Sequence, residues 1–240
     1  MTRAARRAGR GDRLLLTCEH GGNRIPREYG RLFRVAVRDL ASHRGWDPGA
    51  LDVARALARH FRLPLRATTW SRLLVEPNRS PANPRIGSAY TKGLRAEERK
   101  RILARYWWPH RRDVESAVRD FVARGHRVVH VAVHSFTPEI AGEVRSADVA
   151  LLYDSGRAGE KALCTRWQGI LRELDPALRI RRNYPYRGAA DGLPTWLRRR
   201  FPGRCYAGVE LELNQGLLAK RRPGPIAALL AASLDPLLRA

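Results

Sequence analysis

The run His126–Ser135 (HRVVHVAVHS) constrains the fold most, because so many β-branched residues in so short a space read as a buried strand, here ending at His134. The stretch Arg13–Thr17 reads the same way and ends in the polar cluster Glu19-His20-Gly21-Gly22-Asn23. Further strand candidates are Leu65–Trp70, Leu73–Val75, Val149–Tyr153 and Tyr206–Leu213. Helical spacing occupies the intervals. Pro48–Phe61 carries Leu51, Val53, Ala54, Leu57, Ala58 and Phe61, with Asp47 placed to cap it and Pro48 at its first position. Leu94–Arg124 is a long helical pattern that Pro109 should break or kink. Gly159–Glu173 and Pro225–Leu238 follow, with Asn183–Gly192 a loop dense in Pro, Gly and Tyr. Strands separated by helices predict an α/β layer sandwich with a mainly parallel sheet. In such sheets sites collect at the carboxyl ends of strands, where His20 and His134 fall.

With 240 residues and 44% hydrophobic composition, the chain is long enough for one domain, expected over 13–240 behind a basic, flexible tail at 1–12. No apolar h-region follows that basic start, and no run approaches a membrane span. Three cysteines without a CxxC spacing predict a reducing, cytoplasmic setting. The net charge of +23 raises nucleic acid as a partner. The charge is mostly arginine spread from Arg3 to Arg239, without one basic element interleaved with aromatics. Solvated surface and steering of a small anionic substrate therefore explain it better than nucleic-acid binding.

His20, Asp47 and His134 each have an ordinary structural explanation, a hydrogen-bonded histidine or a helix cap. As a set, two imidazoles and a carboxylate leaving a position for water make the usual ligand count of a catalytic zinc site. Nothing in their local spacing requires it. Glu210 and Glu212 share one face of their strand, and acids inside an apolar strand cost stability unless paired or functional; the alternative is an edge strand with both in solvent. Arg72 and Arg79 flank Leu73–Asn78 and offer forks matched to a carboxylate, although in so arginine-rich a chain either one could simply be surface.

Six segments, CEHGGNRIP (18–26), HRGWDPGA (43–50), SRLLVEPNR (71–79), VHSFTP (133–138), NYPYRG (183–188) and GVELELNQG (208–216), resemble in order the N-formylglutamate amidohydrolase family. The resemblance implies a zinc-exopeptidase-like three-layer sandwich, a mixed, mainly parallel central sheet with helices on both faces. It implies hydrolysis of an N-acyl amide on an acidic amino acid; for N-formyl-L-glutamate the products are formate and L-glutamate, closing one route of histidine degradation. Carried over by position, His20, Asp47 and His134 hold zinc or another divalent metal, and Glu212 is the general base. Asn78 and Arg79 look like the Asn-Arg pair with which related zinc enzymes grip a substrate carboxylate. The mechanism built on these residues adds Arg72 as a further cation for that carboxylate and Arg187, in the Tyr184–Gly188 loop, at the oxyanion. Two departures stand out: related zinc enzymes take their first two ligands from HxxE, whereas position 23 is Asn, and Glu76 occupies an expected aspartate position. A zinc peptidase or deacylase of another N-acyl substrate uses the same residues, and a nucleic-acid-binding protein on an inactive hydrolase scaffold is a further alternative. The acyl group, the resident metal and the oligomeric state stay open at this point.

Overall fold

The computed structural model describes residues 10–239. Most of the segment expected as a tail, residues 1–9, lies outside the described residues, whereas Arg10–Asp12 open the first strand. The strands are β1 (Arg10–Cys18), β2 (Leu65–Ala67), β3 (His126–Phe136), β4 (Glu139–Ile140), β5 (Glu143–Val144), β6 (Val149–Leu152), β7 (Ile180–Arg182) and β8 (Tyr206–Asn214). The α-helices are α1 (Val37–Ala41), α2 (Ala50–Phe61), α3 (Ala96–Ile102), α4 (Trp108–Ala123), α5 (Ala158–Leu174), α6 (Leu193–Arg198), α7 (Gln215–Arg221) and α8 (Pro223–Leu238). Six strands form one sheet in the order β2-β1-β3-β8-β6-β7, while β4 and β5 make a separate hairpin. All pairings in the large sheet are parallel except β6 against β8. The expected mixed, mainly parallel α/β sandwich is what forms.

Side-chain alternation sorts the sheet into two faces. Leu14 and Leu16 of β1, Val129, Val131 and Val133 of β3, and Val209, Leu211 and Leu213 of β8 pack under α2, α5 and α8. Leu15, Val128 and Tyr206 turn the other way and meet α4 and α6. A third apolar cluster gathers Tyr29, Phe33, Leu73–Val75, Tyr106 and Trp107 beside the sheet.

Three expectations change. Leu73–Val75 is buried but forms a turn, closed by Leu74 N–H on the Ser71 carbonyl at 2.9 Å; a short apolar run reports burial, not strand geometry. The strand expected over Leu65–Trp70 stops at Ala67, and the next two carbonyls, of Thr68 and Thr69, accept from Gly21 and Arg24 at 3.1 and 3.0 Å. A Cβ on Gly22 would sit 2.8 Å from the Thr69 carbonyl oxygen, so what approaches the double glycine closely is chain rather than ligand. Finally, Pro109 does not break the long helix. It falls in the first turn of α4, and residues Leu103–Trp107 before it widen into a π-helical turn, with Trp108 N–H bonded to the Leu103 carbonyl. The wider turn carries the helix past a residue that has no N–H to donate.

Candidate metal centre and active-site cavity

The carboxyl ends of β1, β3 and β8 bring the polar residues to the α4/α6 side of the sheet. His134 lies on the same face of β3 as Val128, and its cross-strand partner on β8 is Glu212. His20 lies two residues beyond β1. Asp47 comes from the loop before α2, tied to the first loop by its N–H on the His20 carbonyl at 3.0 Å. It is not the helix cap. The N-cap of α2 is Gly49, in the left-handed region at φ 80°, with no side-chain capping bond. The Asp47 carboxylate is therefore free to face the histidines.

It does so closely. His20 Nδ1 lies 3.2 Å from His134 Nδ1 and 3.2 Å from Asp47 Oδ2, and His134 Nδ1 lies 2.9 Å from the same oxygen. All three residues are at most 4% exposed. Donors bound to zinc at about 2.0–2.1 Å in a tetrahedron stand about 3.3 Å apart, so this triangle has the size a small divalent ion requires. The outer nitrogens support the same reading. His134 Nε2 contacts Glu19 Oε2 at 3.1 Å, and His20 Nε2 contacts Glu76 Oε1. A carboxylate behind each ring holds the proton on Nε2 and turns the Nδ1 lone pair inward, the usual orientation of metal-binding histidines. Two inward lone pairs and an anionic oxygen repel one another unless a cation lies between them.

The surrounding charges are arranged to match. Burial alone would raise the Glu19 carboxyl, but hydrogen bonds from His110 and His134 hold it well below the usual range. Burial likewise opposes ionisation of Glu76, and Arg72 beside it overcomes that. Asp47 is held low against burial by the two histidines. Without an ion, both His20 and His134 are raised despite burial, since the acids around them favour positive charge. Any positive charge at this point, a proton or a metal, gains from the same acids.

Glu212 stands apart from this pairing. It is 7% exposed, and its Oε2 is buried without a hydrogen-bond partner among the described residues. Burial, reinforced by Asp47 and Glu210 and opposed by His134, pushes its carboxyl up to about 7. β8 runs between β3 and β6, so the edge-strand alternative for Glu210 and Glu212 does not apply.

A cavity of about 260 Å³ opens over these residues and is lined also by Arg72, Arg79, Arg85, Tyr186, Arg187 and Asp191. Two of the loops that line it are joined by Asp191. One Asp191 carboxylate oxygen accepts from Ser80 N–H at 2.9 Å, Ser80 Oγ at 3.0 Å and Asn83 Nδ2 at 2.7 Å. Gly188 in the second loop lies so tightly on the end of β6 that a Cβ would fall 2.0 Å from the Tyr153 nitrogen.

Of the side chains expected to hold substrate, Arg79 has only Nη1 engaged among the described residues, donating to the Asn78 and Asp191 carbonyls. Arg72 is engaged elsewhere: its Nε and Nη2 meet Glu76 Oε2 at 2.7 and 2.6 Å, and its Nη1 meets Asp47 Oδ1 at 3.3 Å. Asn78 is engaged too, donating to Glu210 at 2.7 Å and accepting from Leu193 N–H at 2.7 Å. Arg187 is exposed at the rim of the cavity. Sequence reasoning did not single out Glu19, His110, Arg85 or Asp191. Only Glu19, adjacent to His20, carried a local signal.

Comparison with known proteins agrees with this architecture. The sequence profile described as N-formylglutamate amidohydrolase matches residues 12–219. A solved gene product of Agrobacterium tumefaciens is 30% identical, superposes with a TM-score of 0.82, and aligns over 97% of this chain and 92% of its own. An N-formylglutamate amidohydrolase from Ralstonia eutropha is 20% identical, with a TM-score of 0.69 and 96% of each chain aligned. No curated protein matches the chain significantly. With a family profile spanning nearly the whole described chain, over a sheet that carries its polar residues at the strand ends, this protein belongs to the N-formylglutamate amidohydrolase family.

Proposed function

We propose that the chain is a zinc-dependent amidohydrolase that removes the N-acyl group from an acidic amino acid, with N-formyl-L-glutamate as substrate and formate and L-glutamate as products. One observation carries this reading: two Nδ1 atoms and one carboxylate oxygen converge within ion-binding distance beside Glu212, whose buried Oε2 has no hydrogen-bond partner among the described residues. A divalent ion held by His20, Asp47 and His134 would supply Lewis acidity, lowering the pKa of water and polarising the acyl carbonyl.

The chain's own residues do the rest. Glu212 takes the proton of the attacking water and delivers it to the leaving amine nitrogen. With no ion at the site burial holds this carboxyl up at about 7, and a bound divalent cation would lower it, leaving a carboxylate ready to accept the proton. Arg79 holds a substrate carboxylate through the part of its fork not bound to Asp191, and Arg85 and Arg187 extend the positive lining toward the mouth. In this reading Arg72 and Asn78 orient the acids around the site rather than touch substrate, and Arg187, exposed at the rim, guides the anionic substrate inward, a position that does not support the oxyanion role expected of it. The arginine lining also supports attraction of an anionic substrate over nucleic-acid binding. The cysteines Cys18, Cys164 and Cys205 are free, which supports a reducing, cytoplasmic setting. No described helix is long and apolar enough to cross a membrane.

Metal analysis of the purified chain together with a formate-release assay on N-formyl-L-glutamate tests the proposal. The expected result is about one zinc per chain and formate release abolished by chelation. Zinc with turnover only of other N-acyl amino acids or peptides would move the assignment to a deacylase or peptidase, and absence of bound metal would overturn it.

A further inference from the structure

Where the π-helical turn runs into α4, Trp107 and Arg111, four residues apart and so on one helical face, both reach the loop that carries Asn78 and Arg79. Trp107 Nε1 donates to the Arg79 carbonyl at 3.0 Å. Arg111 Nη2 donates to the Pro77 carbonyl at 2.8 Å and to the Arg79 carbonyl at 3.1 Å. The peptide groups before Asn78 and after Arg79 are thus pinned, and the Arg79 carbonyl takes two donors. Among the described residues the Arg79 fork is anchored only at Nη1, and the side chain lines the cavity.

Arg111 is an unusual residue to use for this. It is 1% exposed, with its guanidinium centre 4.7 Å from the Trp107 ring centroid and 5.6 Å from that of Trp196. Its Nε and Nη1 are buried with no hydrogen-bond partner among the described residues. A buried cation with unused donors is a cost to folding, and an apolar side chain of similar volume would fill the slot between the two indoles without it. Packing explains the shape of Arg111 and the two indoles use its charge, but neither explains why its donors are aimed at the carbonyls of Pro77 and Arg79.

We infer that Arg111 is a positioning residue for substrate recognition, fixing the backbone at Pro77 and Arg79 so that the Arg79 fork meets a substrate carboxylate. The inference rests on the proposed role of Arg79. It acts through Arg79 alone, so the two residues must couple.

The test uses the metal-loaded full chain, with N-formyl-L-glutamate as substrate and glutarate, an unreactive dianion, as a binding probe followed by calorimetry. Arg79→Ala, Arg111→Met, Arg111→Lys and the Arg79→Ala/Arg111→Met double variant are compared. Arg111→Met should raise KM and weaken glutarate about tenfold while kcat changes by no more than about threefold. Its thermal midpoint should fall only modestly, because the Pro77 carbonyl loses its donor while an apolar side chain still fills the space, and the KM effect in a folded enzyme separates lost positioning from lost packing. Arg111→Lys, still able to donate, should recover part of the affinity. In the double variant the Arg111 effect should vanish, because nothing is left to position. If Arg79→Ala weakens glutarate but Arg111→Met does not, or if the two effects simply add, the positioning role is overturned and the Arg79 reading stands. If Arg79→Ala has no effect on glutarate, both are overturned.

Discussion

β3 places two buried histidines on one face of the sheet, four residues apart, and they behave as opposites. His130 lies 2.9 Å from Thr17 Oγ1 and 2.7 Å from Tyr206 Oη, neutral partners both, and burial pulls its pKa down to about 4. His134 is just as buried, yet Glu19 and Asp47 hold its pKa well above the ordinary value. Burial is the same at the two positions. The charge of the hydrogen-bond partners decides which imidazole is structural and which can serve an ion.

Several changes would break or sharpen that contrast. The largest effect is expected from His134→Ala or His20→Ala, which should remove metal from the purified chain and lower kcat/KM by at least about 10³-fold. His130→Gln should leave metal content intact. Retention of zinc by His134→Ala would end the distinction between the two histidines. Next comes Glu212→Gln, which should keep metal while kcat falls by roughly 10²–10⁴-fold; near-normal turnover would take Glu212 out of the mechanism.

The pH dependence of stability probes His130 directly. Its folded pKa lies below the unfolded value, so its contribution is fully present above about pH 6.5 and is lost as pH falls toward about 4. The parent should lose up to about 3 kcal/mol across that window from this group, and His130→Gln should show a flatter denaturation profile there. Equal slopes would mean that His130 is not buried neutral. The smallest effect belongs to Glu19→Gln, expected to weaken metal binding about 10–100-fold by loosening the His134 ring. Competition with a calibrated chelator would measure it, and unchanged affinity would show that the carboxylate behind His134 is dispensable.

The readable parts of this molecule are those in which one segment determines its own state. The valine run of β3 and the apolar alternation of β8 state their burial locally, as does the amphipathic spacing of α2. β7, of sequence Ile180-Arg181-Arg182, has no apolar alternation and becomes a strand only because β6 offers it a parallel edge. α6 is six residues that begin with Leu193-Pro194 inside a loop-like region, too short for periodicity to register. The π-helical turn answers Pro109, and its consequence for Trp107 needs the tertiary structure.

The candidate site divides along the same line. His20, Asp47, His134 and Glu212 are chemically conspicuous residues at predicted strand or helix ends, and the fold brings them together. Their partners are not conspicuous. Glu76 reaches His20 across 56 positions, and Glu19 reaches His134 across 115, distances at which no motif operates. Arg72 and Asn78 were legible as polar groups in the right loop, but whether they face substrate or neighbouring acids depends on where Glu76 and Glu210 lie.

His134 and Glu212 are direct neighbours across adjacent parallel strands in the interior of the sheet. Their separation is therefore measured out by the interstrand spacing, about 4.8 Å, which is among the least adjustable lengths in a protein. Loops around the cavity can lengthen or change composition while the distance from His134 to Glu212 stays put. A single-residue slip of β8, by contrast, would send Glu212 into the apolar layer beneath α2 and α8. Under the proposed function, substrate range in this architecture is free to drift while the spacing of these two residues is not.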